Sequence, residues 1–132
     1  MRDAFTNFGN IAITTAATDS SKAVKSENIV NLVGAGKLEA SLQDLRFVFF
    51  PKTSYTGTLT FEIIQSDTIT SNELASPVVT DTFTVKDVTA KQCIIKPFLL
   101  ETKKKYVQVQ AYGSAGTAIS VEAWLEFGAG AS

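Results

Sequence analysis

Ile119-Ser120-Val121-Glu122-Ala123-Trp124-Leu125-Glu126-Phe127 decides the fold. In an extended chain its alternation puts Ile119, Val121, Ala123, Leu125 and Phe127 on one side, and Ser120, Glu122, Trp124 and Glu126 on the other. A helix would scatter both sets around its circumference. The same period of two recurs upstream. Leu59, Phe61 and Ile63 alternate with Thr58, Thr60 and Glu62. Phe83 and Val85 alternate with Thr82, Thr84 and Lys86. Val107, Val109 and Ala111 alternate with Tyr106, Gln108 and Gln110. Sixteen threonines, with many valines, isoleucines and phenylalanines, suit a pleated, half-buried surface.

Breakers separate these runs. Gly34-Ala35-Gly36, Pro51, Gly57, Pro77 and Pro97 fall between or at the ends of apolar stretches, where proline removes no ladder hydrogen bond. Tyr112-Gly113-Ser114-Ala115-Gly116-Thr117 reads as the tight connection of a hairpin. Eight strands are expected, near 11–15, 28–33, 42–50, 57–65, 78–86, 91–96, 105–112 and 118–127. Many short, evenly spaced strands point to an all-β, eight-stranded antiparallel, jelly-roll-like sandwich. A single helical turn is expected at 71–75 in the long connection before the fifth strand. The small, polar stretch 12–21 has little to bury and reads as an extended N-terminal arm or edge strand. The expected layout is an arm over 1–25, a sandwich over 26–127 and a flexible tail over 128–132.

The composition narrows the function. With 12 basic and 13 acidic residues the chain is nearly neutral, and offers no field to attract nucleic acid or an anionic membrane. No apolar stretch reaches the roughly 20 residues of a membrane-spanning helix, and the first residues lack a signal-peptide pattern, so synthesis in a cytoplasm is expected. There is no histidine, which removes the commonest general base and metal ligand, and no Ser-His-Asp or Cys-His set can form. A single cysteine, Cys93, in the run Cys93-Ile94-Ile95, is expected to be a buried thiol. Neither a metal nor a cofactor is expected. The strongest catalytic pattern is Glu122 and Glu126 on one strand face with Trp124 between them, a paired-carboxylate arrangement of glycosidase type. The plainer reading is a solvated or interface-rim strand face, and no catalytic residue is assigned. Lys103, Lys104 and Lys105 are expected to keep an edge or hairpin solvated.

What stands out is a surplus of apolar residues. Once one face of each strand is given to the core, the other should be polar. Yet Val48, Phe50, Ile64, Tyr106, Tyr112 and Trp124 fall on presumed outer faces, and Phe98, Leu99 and Leu100 fall in a connection. Phe5 and Phe8 precede the polar arm, outside the expected core. Apolar outer surface of this kind marks an interaction site. Covering Trp124 and Phe50 would contribute on the order of 1.5–3 kcal/mol each.

Two stretches, Leu59-Thr60-Phe61-Glu62-Ile63-Ile64-Gln65-Ser66-Asp67 with its loop ending Asn72-Glu73-Leu74, and Phe5-Thr6-Asn7-Phe8-Gly9-Asn10 with its Ala/Thr-rich continuation, carry a resemblance. The chain resembles the small phage capsid cement, or decoration, proteins. The resemblance implies a jelly-roll homotrimer on the outside of an icosahedral head, binding where major capsid proteins meet and stabilising their contacts. It implies a protein made in the host cytoplasm and carried on the virion surface. Phe5 and Phe8 would then anchor the arm in the shell, and Phe50, Ile64 and Trp124 would contact a partner. The alternative is a carbohydrate- or receptor-binding β-sandwich module of a phage tail or spike, with its sugar site on Trp124 or Tyr112.

Overall fold

A computed structural model of the chain describes residues 7–32, 45–97 and 104–127. The described part is all-β. Its main strands are β1 (Asn7–Ile13), β2 (Val24–Lys25), β3 (Val30–Asn31), β4 (Leu45–Pro51), β5 (Tyr55–Ser66), β8 (Val78–Val88), β9 (Ile94–Pro97), β10 (Tyr106–Gly113) and β11 (Ile119–Phe127). A two-stranded hairpin, β6 (Ile69–Thr70) and β7 (Glu73–Leu74), lies between β5 and β8. All the strand ladders are antiparallel. One sheet has the order β1-β11-β4-β9, and the other β2-β10-β5-β8, with β3 also paired to β10.

The alternating residues form the core between these sheets. From the first sheet come Phe8, Ile11 and Ile13 (β1), Phe47 and Phe49 (β4), and Ile119, Val121, Ala123 and Leu125 (β11). The second contributes Leu59, Phe61 and Ile63 (β5) and Val107, Val109 and Ala111 (β10). Phenylalanine rings run along the first layer, Phe8 to Phe47 at 5.8 Å between centroids and Phe47 to Phe49 at 6.3 Å, and cross to the second from Phe49 to Phe61 at 4.6 Å. Such offset and tilted pairs add about 0.5–1.5 kcal/mol each beyond the area they bury.

The sandwich is open between its edge strands β8 and β9, and Lys96 sits in the gap. Its ammonium lies 3.8 Å from the Asp81 carboxylate and 5.4 Å from the Phe83 ring centroid. At the far end, the buried Tyr55 hydroxyl donates to the Ala115 carbonyl at 2.9 Å and accepts from the Ala115 amide at 2.8 Å. This fixes the β10–β11 hairpin. Gly113 is required there, because a Cβ would stand 2.2 Å from that hydroxyl.

Four expectations change. Phe8 is not outside the core: it is 0% exposed, because residues 7–13 of the expected arm form the edge strand β1, paired to β11 from Asn7↔Trp124 to Ile13↔Ile119. The expected helical turn at 71–75 is a hairpin instead. Ser71 (φ 53) and Asn72 (φ 65) supply the two positive-φ central residues of a type I′ turn. Cys93 is exposed, because it precedes edge strand β9, in which only Ile94 points into the core and Ile95 faces outward. Lys103 lies outside the described residues, and Lys104 and Lys105 lead into a central strand, not an edge: the Lys105 amide donates to Asp67 at 3.1 Å, and the Lys104 ammonium lies 3.6 Å from the same carboxylate.

Candidate interaction surface

The outer face of the β1-β11-β4-β9 sheet carries Val48, Phe50 and Trp124 of the apolar surplus. Register places Trp124 (β11), Val48 (β4) and Ile95 (β9) in one row across three strands. The next row sets Asn10, Glu122 and Phe50 side by side. The row on the opposite flank sets Glu126 beside Arg46 and Pro97. Trp124 and Phe50, both half-buried, are therefore diagonal neighbours on one face. Val48, between them, is only 2% exposed, whereas Ile95 at the sheet edge is 52% exposed.

Ion pairs bound this apolar band at both ends. The Arg46 guanidinium donates to Glu126 Oε1 from Nε at 3.1 Å and from Nη2 at 2.8 Å. Glu126 Oε2 accepts the Trp124 indole N–H at 3.0 Å. The indole hydrogen bond, with help from Arg46, holds the Glu126 carboxyl below the usual glutamate range against the opposing effect of burial. At the other end, Lys52 Nζ lies 3.4 Å from Glu122 Oε1. An apolar centre with a hydrated polar rim is the anatomy of a protein-binding face.

The paired carboxylates suggested by the sequence do share this face, but each is ion-paired to its own cation. Glu126 also has its proton affinity lowered, the wrong direction for a general acid.

Not all the expected contact residues meet here. Ile64 belongs to the other sheet and is only 2% exposed. It sits opposite Gln108 in the β5–β10 ladder, and Gln108 borders a concavity with Ile69 and Asn72 of the β6–β7 hairpin. Ile64 is thus buried within its own chain. Phe8 is interior, and Phe5 lies outside the described residues, as do Phe98, Leu99, Leu100, Gly34-Ala35-Gly36 and the tail. Tyr106 and Tyr112 are half-buried on β10, in the other sheet. Ile95 is an exposed apolar residue of this face that sequence reading missed. The available signal was that Ile94 and Ile95 are adjacent in a strand and cannot both face the core.

Among the described residues no group of three or more potential ligands is placed to hold a metal ion, and no helix is long and apolar enough to cross a membrane. Comparison with protein-family models found no match, and comparison with curated proteins found none.

Proposed function

We propose that this chain is a jelly-roll capsid decoration protein, which binds the outside of an icosahedral phage head as a homotrimer and stabilises contacts between major capsid proteins. The jelly-roll assignment is supported by how the ladders nest. Outward from the β5–β8 pair, the pairs are β4 with β9, β10 with β2 and β1 with β11. That is a single antiparallel ribbon, folded at the β5–β8 connection and wound into two sheets, the arrangement of double-sheet jelly rolls.

The observation that carries the binding role is the outer-face band of Trp124, Val48, Phe50 and Ile95 between the Arg46–Glu126 and Lys52–Glu122 pairs. In this reading the band contacts a neighbouring copy, and threefold repetition multiplies a modest gain per residue. The role needs a stiff scaffold with a complementary face, and no reaction at that face. Such a protein is made in the host cytoplasm and ends on the virion surface.

The test is co-sedimentation of the purified protein with empty phage heads and with free major capsid protein. Saturable binding to assembled heads, with a bound stoichiometry in multiples of three, is expected. Failure to bind any assembled head under conditions where the protein is folded would overturn the proposal.

A further inference from the structure

A second feature of the same sheet lies beyond the apolar band, at its β1 edge. Asn7, Gly9, Asn10, Glu27, Lys52 and Glu122 line an open concavity of about 530 Å³, within the range of small-molecule sites. Four separate parts of the chain build it: β1, Glu27, Lys52 and Glu122 of β11. β1 carries a bulge between Asn7 and Gly9, and Gly9 takes φ +83. A Cβ at Gly9 would stand 2.8 Å from Glu27 Oε1, so only glycine lets Glu27 fold against the strand. Glu27 Oε1 then accepts the Asn10 amide N–H at 2.7 Å, and Asn7 Oδ1 accepts the Gly9 N–H at 2.9 Å. The Asn10 side-chain N–H reaches Ser120 Oγ only at 3.4 Å, and its buried Oδ1 has no hydrogen-bond partner among the described residues.

The charges of the lining select the ligand. Two carboxylates, Glu27 and Glu122, oppose an anion. The Lys52 ammonium, 3.4 Å from Glu122, opposes a cation in the same space. What remains is a neutral molecule that both donates and accepts: carboxylates and amide oxygens take hydroxyl protons, while amide N–H and ammonium groups donate to hydroxyl oxygens. On the same face, Asn7 is the ladder partner of the half-buried Trp124, which lies outside the lining and serves as a reporter beside it.

We propose that this concavity is a saccharide site, in which sugar hydroxyls bridge Glu27, Asn10, Asn7 and Glu122. The site does not depend on the decoration reading, and either can fail without the other.

The chain has a single tryptophan, so its fluorescence reports on this region alone. The experiment titrates the full chain with glucose, galactose, mannose and N-acetylglucosamine up to roughly 10 mM, the weak regime expected of a small open site. Tryptophan emission and saturation-transfer NMR are followed together. At least one sugar is expected to give both signals, with affinity at least tenfold weaker in Asn10→Ala and in Glu27→Ala, whose melting curves show whether they stay folded. Lys52→Ala, an exposed truncation, is the third variant should either of those fail to fold. No signal from any of the four sugars overturns the proposal. So does sugar binding that the folded variants leave unchanged, or an emission change given by calcium chloride and by no sugar.

Discussion

The Trp124 indole donates its N–H to the Glu126 carboxylate two residues along the same strand, at 3.0 Å, and so ties the largest apolar group of the outer face to its polar rim. The other oxygen of that carboxylate is held by Arg46 from the neighbouring strand. The indole is thereby fixed in one orientation before any partner arrives, which reduces the ordering cost of binding.

This arrangement predicts an acid-side titration at Trp124. Glu126 is favoured in its ionised form in the folded chain, so its contribution to stability is present above the ordinary glutamate value of 4.5 and is lost as pH falls through its lowered folded value. The pair is more than a third exposed, so the contribution is about 1 kcal/mol or less. Tryptophan emission should change with a midpoint below pH 4.5, and Glu126→Gln should abolish the step. A midpoint at or above 4.5 would count against the hydrogen bond.

Phe8 should behave as a core residue. Phe8→Ala is expected to cost about 3–5 kcal/mol in urea unfolding, the range for a large aromatic removed from a packed interior. A loss below about 1 kcal/mol, ordinary for a surface position, would show that residues 7–13 form a loose arm and not strand β1.

The β10–β11 hairpin should depend on Tyr55. Tyr55→Phe removes both hydrogen bonds to Ala115 and should destabilise by about 1–3 kcal/mol. Gly113→Ala should be at least as damaging, since its Cβ meets the Tyr55 ring and hydroxyl and Leu59. Wild-type melting temperatures in both variants would refute this account of the turn.

Much of the sandwich was legible in the sequence, because burial of one strand face writes itself as alternation. Val121, Ala123 and Leu125, and Leu59, Phe61 and Ile63, face inward as their spacing requires. Where the chain departs from a regular strand, that signal disappears. Strict alternation would put Phe8 and Ile11, three residues apart, on opposite faces, and the bulge between Asn7 and Gly9 is what turns both inward. The Ser71-Asn72 turn uses two positive-φ residues without a glycine, so it resembles any polar loop. The order of strands was not legible, since partners such as Asn7 and Trp124 lie at opposite ends of the chain. The outer-face band was half visible: Val48, Phe50 and Trp124 stood out as misplaced apolar residues, but only the pairing of β4 with β9 and β11 joins them to Ile95. Asn7, Asn10, Glu27 and Lys52 carry no local pattern, and meet only through folding.

The central claim is that the band of Trp124, Phe50 and Ile95, laid over the buried Val48, is covered by another copy of the chain. The most direct test is the solution mass by light scattering after size exclusion, for the wild type and for Ile95→Asp, a substitution on an exposed edge position that a single folded chain tolerates. The wild type should have about three times the 14.2 kDa chain mass at all concentrations. Ile95→Asp should be folded and shifted toward 14.2 kDa. A wild type that runs as a 14.2 kDa monomer throughout, or a trimer that Ile95→Asp leaves intact, would contradict the claim.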